Sequence, residues 1–273
     1  MCVTCGCSSN NNISLTKIDT GERKSIDKYS NKSIDDNSLS QFQNEHINYS
    51  QSTKDSENII NLEKKILQKN SSFAEQNRLF FRENNICSLN LVSSPGAGKT
   101  TLLTRTINDL KQYIPINVIE GDQETINDAK KIKETGCKVI QINTGAGCHL
   151  EALMVQQGYM ELNPQPNSIL MIENVGNLVC PALFDLGESA KIAILSITEG
   201  EDKPLKYPHM FRESKVMLLT KIDLLPYLDF NINQCLEYAK QVNPELDIFQ
   251  VSSVTGEGLS AWYGWLKNHF VIH

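Results

Sequence analysis

Ser93-Ser94-Pro95-Gly96-Ala97-Gly98-Lys99-Thr100 brings two glycines, a lysine and a hydroxyl together in one short run. Gly96 and Gly98 free the loop that runs from Ser94 and Pro95 through Ala97 to Thr101 to wrap an anion with the N–H groups of its non-proline residues. Lys99 reaches outer phosphate oxygens, and the Thr100 hydroxyl can ligate Mg²⁺. An apolar run, Leu89 to Val92, precedes the loop, and Thr101-Leu102-Leu103 opens a helix after it. Strand, loop and helix in that order are the context a phosphate-binding loop requires. Ser93 stands where the usual motif has its first glycine.

Further along, Thr220-Lys221-Ile222-Asp223 follows another apolar run. A carboxylate there accepts two hydrogen bonds from a guanine edge while the Lys221 stem covers the base, which points to GTP rather than ATP. Thr220 replaces the more common Asn. Val251-Ser252-Ser253-Val254-Thr255-Gly256-Glu257-Gly258 resembles a second guanine loop, with Ser253 and Val254 at the contacting positions. Glu173-Asn174-Val175-Gly176 resembles an Asp-x-x-Gly switch with Glu in place of Asp. Its Gly176 N–H would meet the γ-phosphate, and Glu173 would serve Mg²⁺ through water. In Gly121-Asp122-Gln123-Glu124-Thr125-Ile126-Asn127-Asp128, either Asp122 or Asp128 would complete the metal shell, and spacing does not choose between them. A helix cap or first-turn carboxylate is the competing role for each.

Two cysteine groupings carry metal chemistry. Cys2, Cys5 and Cys7 offer three thiolates in one short run, and removal of Met1 would add the Cys2 amine. That S/N set suits square-planar Ni²⁺ and also holds Zn²⁺. Cys148-His149 and Cys180 offer two thiolates and an imidazole, one ligand short of a tetrahedral ion unless water or a second copy of the chain supplies it. Cys180 lies just past Gly176, so a switch that answers to γ-phosphate would carry a metal ligand with it. Cys87, Cys137 and Cys235 sit singly at the edges of apolar runs and read as core.

These residues need elements to position them. From Ile86 onward, apolar runs at Ser88–Val92, Asn117–Glu120, Lys138–Ile142, Ile169–Ile172, Ile192–Ile197, Val216–Leu219 and Ile248–Val251 alternate with helix-length segments. That is the pattern of an α/β fold, a doubly wound and mostly parallel sheet with helices on both faces. Residues 57–273 form this domain, led by one or two amphipathic helices between Glu57 and Asn84 with a break near Ser71-Ser72. Residues 8–56, rich in Asn, Ser, Lys, Asp and Gln, read as a flexible disordered linker behind a cysteine head at residues 1–7. A net charge of -6 from 26 basic and 32 acidic residues argues against nucleic acid as partner. No apolar run approaches a membrane span, and the eight cysteines would be kept reduced in the cytoplasm, so the clustered ones read as ligands rather than disulfides.

The combination of Cys-x-x-Cys-Gly-Cys, Ser-Pro-Gly-Ala-Gly-Lys-Thr-Thr, Gly-Asp-Gln-Glu-Thr, Thr-Gly-Ala-Gly-Cys-His-Leu and Glu-Asn-Val-Gly-Asn-Leu-Val-Cys-Pro closely resembles the HypB family of hydrogenase nickel-incorporation GTPases. The resemblance spans Ile86 to Phe270 together with the cysteine head. It implies a P-loop GTPase of the dimerising class that includes signal-recognition and urease-accessory proteins, with Mg-GTP at the subunit interface. It implies nickel delivery to [NiFe]-hydrogenase, a HypA-like nickel accessory protein and the hydrogenase large-subunit precursor as partners, and a homodimer promoted by GTP and metal. Cys2, Cys5 and Cys7 would bind nickel tightly, and Cys148, His149 and Cys180 would form a weaker nickel or zinc site. A urease-type accessory GTPase and a nucleotide-gated metal buffer are the alternatives, and the chain lacks the histidine tract that marks a reservoir. No general base stands out, so hydrolysis would rest on positioning and Mg²⁺ electrostatics.

Overall fold

The computed structural model describes residues 13–26, 54–123 and 125–269. The strands are β1 (Ser14–Lys17), β2 (Arg23–Ser25), β3 (Ile86–Ser93), β4 (Ile116–Asp122), β5 (Lys138–Asn143), β6 (Ser168–Glu173), β7 (Ala190–Ser196), β8 (Val216–Thr220) and β9 (Asp247–Val251). The helices are α1 (Lys54–Glu83), α2 (Lys99–Leu110), α3 (Asn127–Glu134), α4 (Ala152–Leu162), α5 (Cys180–Leu183), α6 (Lys203–Lys206), α7 (Pro208–Glu213), α8 (Ile232–Val242) and α9 (Leu259–His269). All strands join one sheet in the order β2-β1-β5-β4-β6-β3-β7-β8-β9. From β5 to β9 across the sheet every pairing is parallel. Burial on both faces explains why these strands, the edge strand β9 apart, are apolar runs rather than alternations.

One face is covered by α2, α3 and α9, whose Leu103, Ile107, Ile132 and Trp262 pack on Leu89, Val118 and Ile192. Across β3 to β6 the opposite face carries α1 and α4, where Phe81, Met154 and Tyr159 meet Ile119, Ile142 and Leu170. Tyr159 stacks on Phe80 at 4.3 Å and meets Phe81 edge-on at 5.2 Å. Cys137 and Cys235 are buried and Cys87 is half-buried, and burial pushes the Cys87 thiol up to about 11. They are core thiols, as expected.

Two expectations need correction. Residues 13–26, assigned to a flexible linker, form the β1–β2 hairpin, and β1 adds antiparallel to β5 with Ser14 opposite Asn143 and Leu15 opposite Ile142. Ile13, Leu15 and Ile26 bury into the cluster around Ile140 and Tyr159, which supplies the energy that so short a ribbon lacks by itself. Lys17 and Lys24 both pair with Glu161 of α4. The remainder of the supposed linker that precedes α1 lies outside the described residues, as does the cysteine head. Secondly, α1 runs without a break through Ser71-Ser72. The Ser71 hydroxyl donates to the Leu67 carbonyl inside the helix. Asn70 and Asn77 then tie the buried stripe to Asp185, Leu186 and Ala152 through backbone bonds of 2.7 to 2.9 Å.

Candidate nucleotide and metal sites

The loop between β3 and α2 closes through Gly96 and Gly98, whose φ values of 77° and 96° lie in the left-handed region. Side chains rarely adopt those angles, so the two glycines are what let the backbone turn its N–H groups inward. Lys99 Nζ donates to the Ser93 hydroxyl at 2.9 Å, and that hydroxyl donates to the Ser94 carbonyl at 2.6 Å. Ser93 therefore does work a glycine could not, holding the lysine beneath the loop. Burial draws the Lys99 ammonium below its usual range, while the Glu173 and Asp128 carboxylates pull it back up.

Opposite Lys99, the Thr100 hydroxyl donates to Glu173 Oε1 at 2.7 Å. Glu173 ends β6, is only 4% exposed, and its Oε2 has no hydrogen-bond partner among the described residues. Burial raises it to about 7 against the opposing pull of Lys99. A buried, unpartnered carboxylate oxygen beside a hydroxyl is a hard-oxygen set that fits Mg²⁺. Asp122 and Asp128 both lie in the field of Glu173 and raise it. Asp122 accepts from the Gln123 and Thr125 amides and the Thr125 hydroxyl at 2.7 to 3.0 Å, while Asp128 pairs with Lys131 at 2.9 Å.

A buried carboxylate escaped the sequence reading. Glu120 on β4 faces Glu173 on β6 and Gln141 on β5 in strand register, and is 3% exposed. Burial, and then the Glu173 charge, push its carboxyl up to about 9. A lone Glu inside Asn117–Glu120, otherwise read as a strand, was the available signal.

At the base side, Thr220 donates its hydroxyl to the Ala97 carbonyl at 2.7 Å, so the residue standing in for Asn still braces the phosphate loop. Lys221 adopts φ 63° and donates to the Gly96 carbonyl at 2.8 Å, laying its stem across the loop. Asp223 accepts from the Ser252 hydroxyl at 2.5 Å. That hydroxyl also accepts from the Val254 and Thr255 amides, so buried Ser252, rather than Ser253 or Val254, joins the two loops. The Ser253 carbonyl accepts from Arg105 at 3.1 Å, and the Val254 side chain is exposed.

Beyond Glu173 the chain runs against the phosphate loop. A β-carbon on Gly176 would sit 3.1 Å from Pro95, tighter than most such contacts, so Pro95 would have to give by a few tenths of an ångström. The segment then enters α5 at Cys180. There the ligand atoms of Cys148, His149 and Cys180 all lie within 4.8 Å of one another, with Cys148 Sγ and His149 Nδ1 3.6 Å apart. A tetrahedral ion with metal–sulfur bonds of about 2.3 Å needs donors roughly 3.8 Å apart, so only a small contraction would close the set. His149 and Cys180 are buried, Cys148 is half-buried, and the His149 ring packs on Phe184 at 3.9 Å. Residues 31 positions apart in the chain thus converge (180 − 149 = 31).

The profile of the CobW/HypB/UreG nucleotide-binding domain matches residues 88–250. The hydrogenase maturation factor HypB of Rhizobium leguminosarum bv. viciae is 58% identical over 211 residues, covering 77% of this chain and 71% of that protein. The chain belongs to the CobW/HypB/UreG family, in its HypB branch. HypB of Escherichia coli K12 is 55% identical over 209 residues, covering 77% of this chain and 72% of its own. The crystal structure of HypB from Helicobacter pylori in complex with nickel superposes with a TM-score of 0.70 at 36% identity, over 74% of this chain and 95% of that one. The family is one of P-loop GTPases, which accords with the strand–loop–helix and base-side geometry above. Among the described residues no helix is long and apolar enough to cross a membrane.

Proposed function

We propose that this chain is a GTP-hydrolysing nickel metallochaperone that delivers nickel during hydrogenase maturation. The observation that carries the proposal is the segment from Glu173 to Cys180, which touches the phosphate loop at Thr100 and Pro95 and contributes a thiol to the Cys148–His149–Cys180 cluster. Lys99 and the loop N–H groups from Gly96 to Thr101 hold the phosphates, Lys221, Asp223, Ser253 and Val254 take the guanine, and Gly176 N–H meets the γ-phosphate. Thr100 and Glu173, with Asp122 or Asp128, hold Mg²⁺, which neutralises charge on the phosphates. Water attacks the γ-phosphorus, the bond to the β–γ bridging oxygen breaks, and GDP and phosphate leave.

Nickel is the cargo of the Cys148–His149–Cys180 site and of the Cys2, Cys5 and Cys7 head, with Zn²⁺ as the competing ion at each. The cluster supplies three ligands, so a GTP-promoted homodimer completes it or water fills the fourth place. A HypA-like protein and the hydrogenase large-subunit precursor are the cytoplasmic partners. The test is GTP turnover and nickel transfer to an apo large subunit by wild type, Lys99→Ala and Cys148→Ser. We expect turnover to vanish only in the first and transfer to fail in both. Transfer that persists in Cys148→Ser would remove the cluster from the pathway.

A further inference from the structure

The loop bearing Cys148 and His149 and the short helix bearing Cys180 belong to different parts of the chain. What joins them is a pair of side-chain amides, half-buried Asn177 and buried Asn174. Asn177 donates from Nδ2 to the Cys148 carbonyl at 3.4 Å and accepts from the Val179 amide at 2.8 Å. It thereby bridges one ligand to the residue preceding another. Asn174, 2% exposed and next to Glu173, accepts from the Leu150 amide at 3.0 Å, directly after His149.

Asn174 is itself held from below. It donates to Asn90 at 3.1 Å, and Asn90 donates to Glu188 at 3.0 Å. Glu188 faces Lys191 at 3.8 Å, with both side chains 7% exposed. Lys191 Nζ donates to the Pro181 carbonyl at 3.0 Å and stands 3.4 Å from that of Ala182, in the helix that begins at Cys180. The chain of contacts therefore leaves the His149 side and returns to the Cys180 side through the interior of the sheet. Burying an ion pair in this way adds little stability by itself.

We propose that Asn174, Asn177 and Lys191 are positioning residues for the metal cluster, setting the separation of Cys148 and His149 from Cys180 and linking that separation to the nucleotide at Glu173. None of them is a ligand. The proposal rests on the reading of the cluster as a metal site. Outer groups of this kind typically tune metal affinity by 10–100-fold.

The experiment is nickel titration of the full chain carrying Cys2, Cys5 and Cys7→Ser, so that only the cluster reports, with GDP and with a non-hydrolysable GTP analogue. It compares that protein with Asn177→Ala, Lys191→Met and the charge-neutral pair Glu188→Gln/Lys191→Met, which avoids stranding a buried carboxylate. Thermal melting and GDP affinity report on folding. We expect about tenfold weaker nickel binding in each variant that retains GDP affinity, and a smaller ratio between the two nucleotide states in Asn177→Ala. Unchanged nickel affinity and ratio in Asn177→Ala and in the folded Lys191 variant would overturn the proposal. A Cys148→Ser control that still binds nickel as the parent does would instead refute the metal site itself.

Discussion

The Thr100 hydroxyl and the Glu173 carboxylate meet at 2.7 Å across the mouth of the phosphate loop, joining the first turn of α2 to the end of β6. Removing the hydroxyl while keeping the shape tests whether this pair organises the phosphate chemistry. Thr100→Val should lower GTP turnover by about a hundredfold or more and weaken its dependence on added Mg²⁺. Nickel binding should be retained. Steady-state turnover across a Mg²⁺ series checks this, and wild-type turnover in the variant would place the metal elsewhere.

Asp223 and Ser252 set base selection. Asp223→Asn exchanges an acceptor for a donor, so preference should pass from guanine to xanthine nucleotides, read as a reversed affinity ratio for GDP and XDP. Ser252→Ala frees the carboxylate and should weaken GDP by about tenfold without reversing that ratio, at a cost near 1.4 kcal/mol. Equal binding of GDP by wild type and Ser252→Ala would mean the loop is held by other contacts.

Glu120 makes stability depend on pH. Its carboxyl is raised from 4.5 to about 9 in the folded chain, so between those values the folded state binds more protons than the unfolded one. Stability then falls as pH rises through that window, by at most about 1.4 kcal/mol per pH unit for this group. Glu120→Gln should flatten the slope seen in denaturant melts of the protein without metal or nucleotide between pH 5 and 9. A variant with the parent's slope would assign the dependence to Glu173 and its neighbours.

Leu15 tests whether the hairpin belongs to the domain. It is 4% exposed and packed among Ile140, Ile142 and Tyr159. Leu15→Ala should cost about 2–4 kcal/mol. A denaturation midpoint within error of the parent would show that the ribbon adds nothing to the fold.

The parallel strands were legible because all but the edge strand β9 are apolar runs buried on both faces, and the phosphate loop because strand, glycines and helix occur in a fixed order. The Cys148–His149–Cys180 cluster could be anticipated because a ligand pair and a single thiol each stood beside a recognisable loop. The hairpin could not be. Ser14-Leu15-Thr16-Lys17 has one inward apolar residue flanked by polar ones, and its strand character comes from the edge of β5 and from α4, far along the chain. Glu120 looked like a strand end until the register set it opposite Glu173. Ser252 was passed over because its neighbours Ser253 and Val254 matched the loop pattern, whereas its role depends on a hydrogen bond across the sheet.

The hairpin also has a place in time. Ser14 pairs with Asn143, a separation of 129 residues (143 − 14). At a synthesis rate of about 10 residues per second, β1 leaves the ribosome on the order of ten seconds before the edge it will occupy exists. A two-stranded ribbon does not hold by itself over that interval. The first of the described strands to be made is therefore placed no earlier than β5, and Ile13, Leu15 and Ile26 stay in water until β5 has joined the sheet.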